Sequence, residues 1–331
     1  RITRGIMRRG YSWNAQLRNV APHQARADGF EVAAHNADIG RGGGAFEAGR
    51  VREYALYGYP IAASLALTVV LSSTDRFLLA VYMDEAAVGA YHASYSIANR
   101  TLDVLFLWLG TAGQPALVMA LERGGIERLK VAAREQLSTF LLLGLPAAAG
   151  VALVARPLSE VLIGEELRAA ATSVTPWIAL SALLFGLTAY YFGQAFTLGK
   201  KTRRLLIAMA IPAGLNVILN LILVPRFGLI GAAWATAASF GIGMVATWLI
   251  GRRVVALPIP WESLARCGVA TGLMALAVSR LPAIGGFGEL VLDAGVGALV
   301  YAAAALMLNA AGVRDLARRL LLQRRLRSAT V

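Results

Sequence analysis

The stretch NLILVPRFGLIGAAWATAAS, residues 220–239, sets two apolar runs on either side of a Pro-Arg-Phe-Gly break. The second run is built largely from Gly, Ala, Ser and Thr. Within lipid, helices associate by close packing and not by exclusion of water, so small residues four apart let two backbones approach. Gly231, Ala235, Ser239 and Gly243 form such a ridge, with Gly228, Ala232 and Thr236 beside it. Pro225 is expected to end the first helix and Gly228 to release the second. So short a turn reaches only the neighbouring helix, and the stretch reads as a helical hairpin closed on the outer side of a membrane.

Composition carries the membrane reading to the rest of the chain. Of 331 residues, 57% are hydrophobic and 15% charged, with mean hydropathy +0.61, whereas a soluble domain is about one-quarter charged. A bilayer core takes about 20 apolar helical residues to cross. Eight windows nearly free of ionisable groups meet that requirement: 54–74, 91–121, 137–155, 176–199, 205–224, 229–250, 264–279 and 290–313. The seventh is the weakest, being short and carrying Arg266 near its start. The fold expected is therefore all-α, a polytopic bundle of about eight membrane helices.

Charge in the connecting segments alternates as a membrane topology requires, because short cytoplasmic loops collect Lys and Arg. Segments after the second, fourth and sixth windows and the C-terminal tail sum to +12, while those after the first, third, fifth and seventh sum to −2. The first window then starts on the cytoplasmic side, and an even count returns the C-terminus there. The net charge of +13 thus marks one side of a membrane. A nucleic-acid partner, which would need the basic residues on one face, is not expected. The tail RDLARRLLLQRRLR, 314–327, reads either as an amphipathic helix on anionic membrane lipids or as a solvated tail.

Residues 1–50 differ from everything after them, with no apolar run and half their positions Arg, Gly or Ala. They are expected to be a polar leader, either disordered or non-native, with an unrelated or misread origin suggested by Arg outnumbering Lys 29 to 3 across the chain. No secretory signal pattern is present in them.

Two stretches resemble a known family. NLILVPRFGLIGAAWAT, 220–236, is similar to the C-terminal region of polysaccharide biosynthesis proteins, the Wzx-type oligosaccharide flippases of the MOP superfamily. DRFLLAVYMDEAAVGAYHASYSIA, 75–98, resembles the segment joining the seventh and eighth helices of the same proteins. The resemblance implies a six-helix C-lobe over 51–255, an accessory helix pair over 256–313 and a basic tail over 314–331, with the N-terminal lobe missing. It also implies a lipid-linked oligosaccharide as cargo, alternating access in a bacterial inner membrane, and polysaccharide polymerase machinery as a further partner.

Ionisable groups inside membrane spans are costly and mark sites by default. Arg100 and Asp103 lie three apart on one helical face, with Arg100 about 13 Å from the helix end at Tyr91, near midplane. Arg100 either meets a lipid diphosphate, which a guanidinium binds in a bidentate manner, or pairs internally with Asp103. Asp75 and Arg76 face a watery cavity if the first helix runs on to Met83, and cap an interfacial turn if it stops sooner. Asn216 and Asn220, four apart, with Gln114 and Gln194, are candidates for sugar hydroxyls or for bonds between helices. Asp293 lies in the accessory pair, outside the expected pathway.

Other chemistry finds no support. The lone Cys267 allows no disulfide framework, His23, His35 and His92 have no ligand spacing, and no cofactor, metal or catalytic motif is expected. A MATE-like cation exporter, the alternative transporter, would prefer carboxylates without Arg76 and Arg100 in its cavity. A membrane polymerase would need long outer loops, and those here are short.

Overall fold

The computed structural model describes residues 48–315; the leader up to residue 47 and the tail from residue 316 lie outside the described residues. The chain divides into two compact units at Leu56 and Tyr57, and everything that follows concerns the second. Among the described residues there is no strand.

The helices are α1 Ala48–Tyr82, α2 Glu85–Leu153, the short α3 Ala155–Leu162, α4 Glu165–Leu187, α5 Gln194–Leu198, α6 Thr202–Gly251, α7 Trp261–Val278 and α8 Gly286–Met307. A π-helical turn, Thr188–Phe192, joins α4 to α5. Among the described residues, five continuous helical stretches are long and apolar enough to cross a membrane. Two of them are each broken once by a glycine at positive φ, α2 at Gly125 (φ 65°) and α6 at Gly228 (φ 56°). Dividing them gives seven such segments; α7, with Glu262 and Arg266, is not among them. The protein is an all-α, multi-pass membrane bundle.

Local chemistry sets the breaks. Asp84 caps α2, its carboxyl accepting from Ala87 N at 2.8 Å, and Glu85 follows in the first turn where helix-dipole charge favours an acid. Glu165 and Glu166 open α4 in the same way. The hairpin of α6 departs from expectation in one respect. Pro225 lies inside the helix, which runs on through Phe227 and breaks only at Gly228. A proline forfeits one hydrogen bond, but only glycine turns the chain at φ 56° without strain.

The two arms of α6 then pack backbone to backbone. A Cβ on Gly231 would lie 2.3 Å from the Leu223 carbonyl oxygen, and one on Gly243 would lie 2.7 Å from Pro212 Cβ. Gly231, Ala235, Ser239 and Gly243 are all buried, as the small-residue ridge requires. Elsewhere Phe106 of α2 forms the centre of the core, edge-on to Phe140 at 5.5 Å and stacked on Tyr190 at 6.3 Å.

The turns gather in the two sets that loop charge separates. Gly228 lies beside Met83, and Gly89 faces Leu167. Arg156 of α3 bonds Glu289 of α8, and Gly286 N donates to Glu160 at 2.6 Å. At the opposite ends, Tyr191 OH donates to Pro258 O at 2.5 Å, and Arg266 donates to Asn309 O. Helices α7 and α8 are fastened to α2 by Ser138 to Ser263 (3.0 Å) and by Tyr301 OH to Leu142 O (2.5 Å).

Candidate functional site

Because α1 continues to Tyr82, Asp75 and Arg76 fall inside a helix, the longer of the two forms considered above. They point to different surroundings. Asp75 is completely buried, and its Oδ2 accepts from Tyr91 OH at 2.5 Å and from Thr236 Oγ1 at 3.2 Å. Asn216 Nδ2 approaches the same Thr236 hydroxyl at 3.5 Å, and Asn220 Nδ2 donates to Asn216 O at 2.9 Å. Asp75 Oδ1, Asn216 Oδ1 and Asn220 Oδ1 are buried without a hydrogen-bond partner. Such hard oxygen donors suit a water or a hard cation. Among the described residues no cluster of three His, Cys, Asp or Glu could hold a metal ion.

Arg76 faces a cavity of about 230 Å³ lined by Thr68, Arg76, Tyr95, Asn99, Asp103, Phe185 and Phe240. Its guanidinium lies 4.6 Å from the centre of the Tyr95 ring, a cation–π contact, while Nε has no hydrogen-bond partner. Asn99 Nδ2 donates to Asp103 Oδ2 at 2.5 Å. Phe185 and Phe240, 5.4 Å apart, form the apolar wall.

The structure thus brings Asp75, Arg76, Asp103, Asn216 and Asn220 to one region and leaves the other candidates apart. Arg100 is exposed, outside the cavity lining, and the carboxyl of Asp103 turns to Asn99. Gln114 is exposed on α2. Gln194 is buried on α5, next to Ala195, which meets Gly251 at the far end of α6. Asp293 is buried on α8, away from the cavity lining. Six members were not singled out from the sequence: Tyr91, Tyr95, Asn99, Thr68, Phe185 and Phe240. The first three fall with Asp103 on one stripe at four-residue spacing, a signal that was present in the sequence.

The fold has solved relatives. The lipid II flippase MurJ in an inward closed conformation superposes with a TM-score of 0.65 at 15% identity over 82% of this chain. The chain shares the fold of that flippase. It spans 56% of the length of that MurJ structure. A MOP superfamily transporter from Pyrococcus furiosus (19% identity, 77% of this chain and 63% of that one) and a multidrug resistance MATE transporter (19%, the same shares) superpose less well, with TM-scores of 0.47 and 0.48. Residues 41–172 match the family model described as polysaccharide biosynthesis protein, less than half of the chain. That match contains the 75–98 stretch and begins within the polar leader expected at 1–50, whereas the 220–236 stretch lies outside it. No curated protein matches the chain.

Proposed function

We propose that this chain is the C-terminal part of a flippase that moves polyprenyl-diphosphate-linked oligosaccharide across the bacterial inner membrane. The pathway served is the making of a surface polysaccharide, whether O-antigen, capsule or exopolysaccharide. In this reading residues 51–255 act as the C-lobe, 256–313 as the accessory pair, and a separate N-terminal lobe closes the other side of the pathway. The Lys- and Arg-rich ends, with the C-terminus, face the cytoplasm.

The observation that carries the reading is Arg76, a permanent charge inside a membrane helix with its guanidinium on a polar cavity. A cavity presenting Arg beside Asn and Asp suits the hydroxyls of a glycan cargo, and its Arg repels the cations that a MATE-like exporter would carry. The family match over 41–172 supports polysaccharide biosynthesis as the setting. In a chain completed by an N-terminal lobe, Arg76→Ala is expected to cut glycan export about tenfold to a hundredfold while the protein still accumulates in the membrane, since a charged hydrogen bond contributes about 1.5–3 kcal/mol. Undiminished export by that variant contradicts the proposal.

A further inference from the structure

We infer that the cavity between α1, α2, α4 and α6 is a subsite for one uncharged sugar ring of the cargo, and that the diphosphate binds elsewhere. This rests on the flippase reading and assigns a part of the substrate to a place.

Size gives the first limit. At about 230 Å³, below the roughly 300–1,000 Å³ of sites that enclose drug-sized ligands, this half of the pathway has room for one ring against its wall. Charge gives the second. The lining holds one guanidinium, Arg76, and one carboxyl, Asp103, with Asn99 donating to the latter. A diphosphate would bring at least two negative charges against Asp103 in a weakly screened site, where like charges repel far more than in water. An amino-sugar cation would meet Arg76 in the same way. A neutral polyol meets neither obstacle. Its hydroxyls donate to Asp103 and accept from the Arg76 side chain on the cavity lining.

Shape gives the third limit. Phe185 and Phe240 supply an apolar wall, and Tyr95 carries Arg76 over its ring. A pyranose has apolar C–H faces and a polar rim, and this arrangement provides an apolar partner for the faces and hydrogen-bonding partners for the rim. Arg100, exposed on α2 outside the cavity, is then free to meet the diphosphate.

The test uses the 331-residue chain in lipid nanodiscs with two sets of probes. Saturation-transfer NMR follows binding of glucose, galactose and N-acetylglucosamine, with inorganic pyrophosphate as competitor. The same preparation is assayed for retention of a polyprenyl-diphosphate-linked glycan. At least one monosaccharide should bind, Asp103→Asn should weaken it about tenfold through loss of a charge-assisted acceptor, and pyrophosphate should not displace it. Thr68→Val, which removes a hydroxyl from the lining, supplies a second variant should Asp103→Asn melt early, and it should weaken the same monosaccharide. Pyrophosphate that competes and binds more tightly to Asp103→Asn than to the wild type would place the diphosphate here and overturn the subsite. So would monosaccharide binding indifferent to both variants. If no monosaccharide binds while the lipid-linked glycan is retained, the subsite falls and the flippase reading stands. If neither is retained, both fall.

Discussion

The two arms of α6 meet backbone to backbone, whereas α1 reaches its neighbours through the side chains of Asp75 and Arg76. In the hairpin a Cβ on Gly231 would press on the Leu223 carbonyl oxygen at 2.3 Å. Near α1, Asp75 reaches Tyr91 and Thr236 through hydrogen bonds, and Arg76 stands over Tyr95 beside a 230 Å³ cavity. The difference shows how one membrane bundle separates two tasks. Small residues let backbones close and fix two helices as a strut, while long polar side chains leave a space whose lining can bind something.

The comparison is broken most severely at Gly231. Gly231→Leu forces the arms apart at a place where the neighbour is backbone and cannot yield, with an expected cost of about 3 kcal/mol or more. Loss of the protein from the membrane fraction is the measurement; normal accumulation would mean that the arms are not closely packed.

A smaller loss is expected at the polar end. Tyr91→Phe removes the 2.5 Å donor to the buried Asp75 carboxyl and leaves Thr236 as its remaining side-chain donor. A fall in detergent melting temperature corresponding to about 1–3 kcal/mol is expected. Tyr91→Phe melting with the wild type would show that the bond contributes nothing.

Arg100 sharpens the comparison by export and not by stability. Asp103 is held by Asn99, so Arg100→Ala orphans no partner. Export by a chain completed with an N-terminal lobe should fall with Arg100→Ala, and Arg100→Ala with Asp103→Ala should not restore it. Recovery in the double variant would mean that the two residues neutralise each other.

The smallest effect is expected where α8 meets α3. Glu289, whose side chain is 7% exposed, bonds Arg156, which is 47% exposed and keeps Glu160 as a second acid, so neutralising Glu289 leaves no buried charge unpaired and should cost about 1 kcal/mol. Glu289→Gln should shift melting only slightly, less than Tyr91→Phe; a larger shift would make this tie part of the strut.

Most of the helix architecture was legible because it is local. Hydropathy windows located seven apolar segments and an eighth, 264–279, that is less apolar than the rest, and small residues at four-residue spacing marked the hairpin. Within the hairpin the choice between Pro225 and Gly228 went to the glycine, since missing one hydrogen bond is tolerated in a helix and a positive φ is not. The candidate site was legible in part. Asp75, Arg76 and Asp103 stood out as charges in apolar runs. Reading Asp103 with Arg100, three residues away, passed over the stripe Tyr91, Tyr95, Asn99 and Asp103 on the same helix. The meeting of Asp75 with Thr236, 161 residues later, depends on tertiary packing that no local pattern records.

The most direct test of the cavity as the glycan's place is photo-crosslinking with a polyprenyl-diphosphate glycan carrying a diazirine on its sugar. Mass spectrometry of the adducts reads out which side of α6 the sugar touches. Adducts are expected at Phe240, on the cavity wall, with others at Tyr95 and Phe185, and none at Ile242, two residues along the same helix and 49% exposed on another face. Adducts at Ile242 with none at Phe240 would contradict the account.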